Sequence, residues 1–376
     1  MTRGREADMS KVAKRIMIAV GIILLAVVLI VGGYVAYLMI TYNRIADSEQ
    51  VSVDNNPTAV LQRGVEYSAG TYNIGFGAYT PDYTFFMDEG VMADGAKTVG
   101  KRSVAVSKES VQACTQGAID TMKSLGLDFM LLQEVDTDST RSYQVNQKRA
   151  FEEAFPTLSS AFAVNFHSAY LAYPINEHHG IVNAGLLTMG DARVDSAVRR
   201  SYPVDDSFPT KFFDLDRCFL VERLPVEGGK QLVLVNSHMS AYDEGGIIRA
   251  KQLAMLEDVM EQEAVAGNYV IVGGDWNHAL CNSLELYESA QQPPPWVSVF
   301  SEADLPQGFS IVRPGNLEYV ATCRGADIPY EEGYTYTVTV DGFIVSSNVK
   351  ATAENIDTGF AYSDHNPVKL SFTLMP

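Results

Sequence analysis

The stretch that decides the fold is residues 269–277, which read Tyr-Val-Ile-Val-Gly-Gly-Asp-Trp-Asn. An apolar run rich in β-branched residues is followed by a pair of glycines and then by Asp275 and Asn277. Such a run is typical of a strand buried in a sheet, and the glycines leave room for a close approach. The stretch therefore predicts a buried strand that ends in polar side chains.

Similar runs recur along the chain, and helical patterns lie between them. The apolar runs lie at residues 129–132, 184–187, 218–221, 232–235, 338–340 and 368–372. Within 246–267 apolar residues recur mostly at three- and four-residue spacing up to Gly267, and 110–125 shows a second helical pattern. Strands interleaved with helices predict one large α/β or α+β sheet domain.

The N-terminal part of the chain predicts a membrane anchor. Residues 16–40 carry no charge over 25 positions, about 37 Å of helix at ~1.5 Å per residue, which is enough to cross a bilayer. A cleavable signal peptide is the alternative, but its apolar region is shorter, about 7–15 residues. Basic residues outnumber acidic ones within 1–15, so the positive-inside rule places this segment in the cytoplasm. We predict a single-pass cell-membrane protein with a linker over 41–66 and an extracytoplasmic folded domain over 67–376.

Composition limits the partners of that domain. The net charge is −18, and the basic N-terminus makes the remainder more acidic still. Proteins that bind nucleic acid nonspecifically neutralise phosphates with Lys and Arg, so no dedicated high-affinity binding of duplex DNA is expected. The four cysteines are far apart and contain no C-x-x-C pair, which disfavours a structural zinc site and leaves disulfides permitted but not implied.

Polar residues of a few chemically useful types stand at the ends of the apolar runs. They are Asn73, Glu134, His238, Asp275, Asp341, Asp364 and His365. Any one of them alone is typical of a solvated turn. Because the same kind of residue follows run after run, we expect their side chains to converge at one edge of the sheets.

These residues lie in motifs that resemble those of the endonuclease/exonuclease/phosphatase family. The motifs are, in order, Tyr72-Asn73-Ile74, Gln133-Glu134, Asn236-Ser237-His238, Gly274-Asp275-Trp276-Asn277, Asp341 and Ser363-Asp364-His365. The resemblance covers roughly residues 67–376. It implies a four-layer α/β/β/α sandwich of two mixed β-sheets flanked by helices, with the site at one end of the sandwich. It also implies hydrolysis of a phosphoester in DNA, RNA, an inositol lipid or sphingomyelin.

Hydrolysis of a phosphoester needs a cation, an oriented water and an acid near the leaving oxygen. Glu134, Asn73 and Asp364 are the predicted metal ligands, because hard oxygens suit Mg²⁺ or Mn²⁺ rather than zinc, and by resemblance Glu134 is the strongest. Asp275 and Asn277 lie two apart, so an extended backbone would place both on one face to hold the attacking water and a phosphate oxygen.

The two motif histidines are further predicted catalytic residues. His365 could stabilise the pentacoordinate phosphorane or relay a proton, and the resemblance gives Asp341 the role of orienting it and makes His238 the second histidine on the phosphate side. A lone histidine is more often a satisfied core or surface imidazole, but the motif context reverses that preference. Four further histidines lack this context and stay outside the predicted site: His167, His178, His179 and His278.

Other residues are weaker candidates. Arg217 stands where some family members have a phosphate-gripping arginine, and a surface ion pair is an equal alternative. Asn183 and Tyr170 are candidates for polar contacts to the substrate phosphate, although Tyr170 could simply pack. The aromatic stretch 79–87 could line a substrate groove or touch lipid, but we favour ordinary packing under a loop.

Together these patterns predict a divalent-metal-dependent phosphodiesterase that hydrolyses P–O bonds by in-line attack of water. Its substrate is either a nucleic acid or a phospholipid head group. The alternative is a catalytically inactive membrane-anchored binding domain on the same scaffold. Every principal motif is present, and a degenerate scaffold need not keep them, so the sequence favours the enzyme.

Overall fold

The computed structural model describes residues 2–212, 216–241 and 246–376. The chain divides into two compact units, Met1–Asn43 and Arg44–Pro376. The α-helices of the described residues are α1 (Thr2–Thr41), α2 (Lys108–Leu125), α3 (Gln147–Ala154) and α4 (Ile247–Val265). The strands are β1 (Ser48–Gln50), β2 (Val53–Asp54), β3 (Glu66–Asn73), β4 (Glu89–Val91), β5 (Lys97–Val99), β6 (Phe129–Asp136), β7 (Ser159–His167), β8 (Asn183–Gly190), β9 (Ser196–Ser201), β10 (Cys218–Pro225), β11 (Gln231–His238), β12 (Tyr269–Asp275), β13 (His278–Ala279), β14 (Ser298–Val299), β15 (Phe309–Ile311), β16 (Cys323–Arg324), β17 (Thr337–Val338), β18 (Asp341–Ser346), β19 (Val349–Asn355) and β20 (Val368–Leu374).

The first unit consists of α1. Its stretch Lys11–Thr41 is long and apolar enough to cross a membrane. Residues 16–40 of this stretch contain no proline and no charged residue, so the segment lacks the charged face of a helix that packs one side on a core. A signal sequence near the N-terminus can pass the same test of length and composition.

Two seven-stranded sheets make up the body of the second unit. Their strand orders are β1-β9-β10-β11-β12-β18-β15 and β19-β20-β3-β6-β8-β7-β2. The pairs β11–β12 and β3–β6 are parallel, and their neighbours in each sheet pair antiparallel, so both sheets are mixed as predicted.

Side-chain alternation along the strands builds the layers. Leu234 of β11 and Leu131 of β6 belong to one buried apolar cluster that joins the two sheets. The adjacent residue Val233 belongs instead to a cluster with Leu256 of α4, and Met130 belongs to a cluster with residues of α2. Successive residues of a strand point to opposite faces. The order of layers is therefore α/β/β/α, as the motifs predicted.

The two predicted helices are present with slightly different limits. The side chain of Ser107 accepts a hydrogen bond from the Ser110 backbone N–H at the start of α2. Gly126 ends that helix in the left-handed conformation, with φ 60°, which favours glycine. The helix predicted over 246–267 is α4, whose last turn is followed by Gly267 at φ 75°.

The compact unit starts earlier in the chain than the folded domain predicted over 67–376. The compact unit begins at Arg44 rather than near residue 67. β1 and β2, which lie in the predicted linker 41–66, pair with β9 and β7 at the edges of the two sheets. Strands of three and two residues are too short to show a periodic apolar pattern, and the residues of β1 are exposed. Sequence periodicity therefore gave no sign of them.

Candidate active site

The site forms where strand ends meet at one end of the sandwich. In the first sheet, the register of β11 and β12 places His238 beside Asp275, and the register of β12 and β18 places Asp275 beside Asp341. In the second sheet, β3 and β6 run parallel and place Asn73 beside Gln133. The carboxyl ends of parallel strands lie at the same edge of a sheet, which explains why polar residues so far apart in sequence converge.

Three buried amide side chains connect the sheets at this end. Nδ2 of Asn73 donates to Oδ2 of Asp275 over 3.0 Å. Nε2 of Gln133 donates to Oδ1 of Asn236 over 2.8 Å, and Nδ2 of Asn236 donates to the Leu132 carbonyl over 3.2 Å. Because buried amides are costly unless they are paired, these bonds fix the spacing of the sheets under the site.

Glu134 reaches the site through a β-bulge. The register between β6 and β8 shifts between Leu132 and Val135. Within the bulge Glu134 adopts φ 54°, and its half-buried side chain lines the site cavity. Oε1 of Glu134 accepts a hydrogen bond from Nδ2 of Asn73 at 3.3 Å. Bulges of this kind re-aim side chains beside active sites.

Asn73 presents its nitrogen, rather than its oxygen, to the carboxylates. Its Oδ1 accepts a hydrogen bond from the Gly75 backbone N–H at 3.0 Å. The predicted role of Asn73 as a metal ligand would require the two amide atoms to exchange places, since only the oxygen can coordinate a cation. As placed, Asn73 positions Glu134 and Asp275.

Asp275 and Asn277 both line the cavity, but not for the reason predicted. β12 ends at Asp275, and Asn277 has φ 49°, so the backbone turns instead of staying extended. The Asn277 N–H donates to Oδ1 of Asp275 over 2.9 Å, and its Nδ2 donates to the Met239 carbonyl over 3.0 Å. The turn directs both side chains into the cavity. The Asn277 N–H also holds the carboxylate of Asp275 through Oδ1.

The close approach expected at the glycines is present. A Cβ on Gly274 would lie 1.9 Å from the Ser237 carbonyl oxygen, and one on Gly273 would lie 2.4 Å from the Phe343 ring. The neighbours are protein atoms of the adjoining strands, so these glycines serve to pack β12 and thereby place Asp275.

His365 is held by a buried carboxylate. Its Nδ1 lies 2.7 Å from Oδ2 of Asp341, and its Nε2 lies 3.7 Å from Oδ2 of Asp275. Burial alone would lower the pKa of His365, but the carboxylates of Asp341, Asp275 and Asp364 raise that pKa well above its usual range. The imidazole is therefore protonated at neutral pH, with Nδ1–H donated to Asp341 and Nε2–H directed to the Asp275 side.

Asp341 is the first residue of β18, whereas the sequence predicted that it would follow a strand. The run predicted at 338–340 is split, because β17 ends at Val338 and β18 begins at Asp341. The backbone N–H groups of Val340 and Asp341 both donate to Oγ1 of Thr322, at 2.9 and 3.0 Å. Burial raises the pKa of Asp341, while the charge of His365 lowers it. The ion pair with His365 keeps the carboxylate ionised.

His238 lies between Arg217 and Asp275. Its Nε2 accepts a hydrogen bond from Nη1 of Arg217 at 2.7 Å and lies 3.4 Å from Oδ2 of Asp275. Burial and then the charge of Arg217 lower its pKa well below the usual range, so the ring is neutral and carries its proton on Nδ1. As placed, His238 cannot donate from Nε2 to a phosphate. It holds the half-buried guanidinium of Arg217, which lines the cavity.

Asp364 and Glu134 line the same cavity. Oδ1 of Asp364 accepts a hydrogen bond from the Ser363 hydroxyl at 3.2 Å. Desolvation raises the pKa of Asp364 to about 6, with His365 lowering it and the charge of Glu134 raising it further. Two mutually repelling carboxylates that face one cavity are suited to a hard divalent cation.

A second group of donor atoms could also hold a cation. One atom each from Asp275, Asp341 and His365 lie within 4.8 Å of one another. However, Oδ2 of Asp341 already accepts the Nδ1–H of His365. These three residues are therefore arranged to hold a proton. Glu134 and Asp364 remain the pair that is suited to a metal.

The cavity above these residues has a volume of about 190 Å³. One wall is aromatic and includes Tyr79, Phe85 and Phe86 from the stretch 79–87. Tyr79 and Phe85 are also buried in an apolar cluster. The packing that we favoured for this stretch is therefore present, and so is the groove lining that we ranked lower.

Several cavity-lining residues were not predicted, and four of them are Arg141, Asn165, His179 and Arg324. Arg141 is held by Asp136 through two hydrogen bonds of 3.1 and 2.9 Å, and Asn165 lies at a bulge of β7. Burial lowers the pKa of His179 to about 3, and the charge of Arg141 adds to this. None of the four stands at the end of an apolar run next to a motif, so the pattern that revealed the other residues could not reveal these.

Two weaker candidates lie outside the cavity. Nδ2 of Asn183 donates to the Asp138 carbonyl over 2.8 Å. The Tyr170 hydroxyl lies 2.9 Å from Nδ1 of His178 on the exposed surface. Neither Asn183 nor Tyr170 is among the cavity-lining residues, so nothing in the cavity supports their predicted phosphate contacts. Asn183 begins β8, and Tyr170 lies in the loop before it. In this region the sequence spacing matched the motif only loosely.

Comparison with solved structures identifies the fold of the chain. No protein-family model matches the chain, and no curated protein matches it. The solved endonuclease/exonuclease/phosphatase from Beutenbergia cavernae DSM 12333 is similar, with a TM-score of 0.53 and 15% identity over 82% of this chain and 72% of that one. ANGEL2, a 2',3'-cyclic phosphatase solved with adenosine-2',3'-vanadate, is similar with a TM-score of 0.51 and 14% identity over 88% of this chain and 100% of that one. The chain has the endonuclease/exonuclease/phosphatase fold.

Proposed function

We propose that the chain is a divalent-metal-dependent phosphodiesterase that hydrolyses P–O bonds by in-line attack of water. The observation that carries this proposal is the buried pair of His365 and Asp341, which adjoins Asp275 in a cavity that also presents Glu134 and Asp364. The cavity thus offers a base, an acid and a place for a cation within reach of one phosphate. The phosphatase names of the two similar structures support a phosphoester substrate.

Glu134 and Asp364 would hold Mg²⁺ or Mn²⁺. Both present carboxylate oxygens to the cavity, and the raised pKa of Asp364 reflects desolvation and a repulsion that a cation would relieve. A divalent cation bound there supplies charge neutralisation at the phosphoryl oxygens. The absence of sulfur and imidazole donors from this pair disfavours zinc.

Asp275 would orient and deprotonate the attacking water. Its Oδ1 is occupied by the Asn277 N–H, and its Oδ2 accepts from Asn73. The carboxylate is therefore fixed in one rotamer, with Oδ2 on the same side as both histidines. A carboxylate held in this way can accept a proton without losing its position.

His365 would supply positive charge and a proton. The protonated ring is anchored through Nδ1 by Asp341, so Nε2–H points into the site. There it can donate to a phosphoryl oxygen as negative charge develops in the transition state. Arg217, which His238 holds, would bind a second phosphate oxygen through its remaining N–H groups.

The location follows as a further part of the proposal. α1 would anchor the chain in the cell membrane, with residues 1–15 in the cytoplasm and the domain outside, since the charge asymmetry around the helix supports this orientation. The acidic body supports the absence of high-affinity duplex DNA binding.

The test is hydrolysis of bis(p-nitrophenyl) phosphate by the full chain in detergent, with EDTA and with added Mg²⁺ or Mn²⁺, beside Glu134→Ala. We expect turnover that EDTA abolishes, that the metals restore, and that the variant lacks. A wild-type chain that binds Mn²⁺ but turns over no phosphodiester would instead favour the inactive binding domain.

A further inference from the structure

The mouth of the catalytic cavity carries exposed apolar side chains on two loops. The loop between β7 and β8 carries Tyr173 and Ile175, which are 55% and 85% exposed, and the loop between β9 and β10 carries Phe208, which is 61% exposed. Both loops also supply lining residues, since Leu171 and Thr210 line the cavity. Large apolar side chains gathered around a functional opening are typical of a contact surface. We refer to Tyr173, Ile175 and Phe208 as the apolar rim.

Two of the rim residues stand next to segments that line the cavity. The ring of Tyr173 lies 5.8 Å from the ring of Phe86, which lines the cavity. The ring of Phe208 lies 5.8 Å from that of Phe212, two residues beyond the cavity-lining Thr210. Tyr173 therefore adjoins the aromatic wall directly, and Phe208 lies on the loop that supplies Thr210 to the same cavity.

The chain enters the folded domain at the same end of the sandwich. The backbone N–H of Ile45 donates to Oδ1 of Asp216 over 3.2 Å, and Nε of Arg44 lies 4.0 Å from the same oxygen. Asp216 directly precedes Arg217, which lines the cavity. The attachment point and the catalytic mouth thus share one end of the first sheet.

The attachment is also short. The apolar stretch ends at Thr41 and the compact domain begins at Arg44. The three Cα–Cα steps from Thr41 to Arg44 span at most about 11 Å when fully extended. If α1 crosses a bilayer, this connection limits how far Arg44 can lie from the membrane surface.

We infer that the apolar rim docks on the bilayer that α1 crosses, and that the cavity takes the phosphoester of a phospholipid head group. This inference rests on the proposed function for its chemistry and on α1 for its location. The net charge of −18 disfavours adsorption to anionic lipid, so contact depends on apolar insertion and tethering rather than on basic residues. The aromatic wall then accommodates the apolar part of the lipid next to its phosphate.

Docking can be measured without relying on activity. The full chain is reconstituted in phosphatidylcholine vesicles whose acyl chains are brominated or not, and tryptophan emission is compared for wild type, Phe208→Trp and the matched control Val265→Trp. Val265 is 90% exposed at the end of α4, close to the start of β12 and thus far from Asp275 at its other end.

We expect bromination to quench the added tryptophan of Phe208→Trp and to leave that of Val265→Trp unchanged. Equal quenching of the two variants would overturn the inference. An emission change that follows the protein-to-lipid ratio but not bromination would place a second copy of the chain on the rim, which would overturn it as well.

The substrate class is tested by a ratio of rates. For Ile175→Ser/Phe208→Ser, turnover of vesicle phosphatidylcholine relative to that of bis(p-nitrophenyl) phosphate should fall about tenfold, because each lost apolar contact weakens docking. Val265→Ser should leave the ratio unchanged. A ratio that the rim variant does not alter would contradict the inference. If bromination quenches the tryptophan at position 208 but neither substrate is turned over, the proposed function is contradicted. The docking is then still supported.

Discussion

Nδ1 of His365 lies 2.7 Å from Oδ2 of Asp341, and both side chains are buried. Asp341 begins β18 in one sheet, and His365 lies in the loop that precedes β20 of the other sheet. The contact therefore ties the sandwich together at the site, and it determines which nitrogen of the histidine carries a proton toward the cavity.

Replacing Asp341 by asparagine should remove the anchor and the charge that keep His365 protonated. We expect kcat to fall by about 10²–10⁴-fold, the usual contribution of a positioned acid. The pKa of His365 should also fall, because Asp341 is the largest of the groups that raise it. The basic limb of the pH–rate profile should therefore move to lower pH, which steady-state kinetics between pH 6 and 10 would reveal. A pH–rate profile that does not shift in this variant would show that Asp341 does not control the protonation of the catalytic acid.

Arg217→Lys should weaken substrate binding more than turnover. Lysine keeps the charge but loses the planar fork that can bond to His238 and to a phosphate at once. We expect KM to rise about tenfold with a smaller change in kcat. The control is Arg193→Lys, which replaces an arginine that pairs with Asp195 on the surface. Equal kinetics of the two variants would argue against a phosphate contact for Arg217.

Glu222 should make the stability of the domain depend on pH. It is 2% exposed, and burial raises its pKa to about 8. The folded state thus binds this proton more tightly than the unfolded state, so the contribution is complete below the unfolded pKa and is lost as pH rises through about 8. Glu222→Gln cannot ionise. The unfolding free energy of Glu222→Gln minus that of wild type should therefore increase between pH 5 and 9, by an amount on the order of a few kcal/mol.

Urea denaturation at pH 5, 7 and 9 would check this, since the difference between the two proteins cancels the other titrating groups. Glu354→Gln, which changes an exposed carboxylate of β19, is the matched control. A difference between wild type and Glu222→Gln that stays constant with pH would show that Glu222 does not titrate in this range.

Gly274→Ala should disturb the fold at the site. The added Cβ would lie 1.9 Å from the Ser237 carbonyl oxygen, which is backbone and cannot swing aside. We expect a loss of about 2–3 kcal/mol or more in unfolding free energy, together with loss of turnover as Asp275 moves. At Gly315 the nearest atom would be 3.9 Å away, so Gly315→Ala should be close to neutral in the same thermal and urea measurements.

The sequence predicted the layers and the convergence of the motif residues because both follow from local rules. Buried strands read as apolar runs, and the ends of parallel strands bring residues such as His238 and Asp275 together whatever their separation in sequence. The folding of α2 and α4 follows from apolar spacing and from glycines at their ends in the same way.

What the sequence could not supply depends on contacts between distant segments. Arg324 donates to the carbonyls of Gly325 and Thr80, at 2.9 Å each, and becomes part of the cavity wall only through that packing. The role of His238 depends on the position of Arg217, and the nitrogen that Asn73 presents depends on Gly75. Hydrogen-bond direction of this kind has no periodic pattern in a sequence.

The most direct test of the proposed chemistry is turnover of bis(p-nitrophenyl) phosphate in the presence of Mg²⁺ by Asp275→Asn and His365→Ala, with the unfolding midpoint of each recorded alongside. We expect both variants to remain folded and each to lose at least about 10²-fold in kcat. Full turnover by either folded variant would contradict the assignment of the water-activating and proton-donating groups.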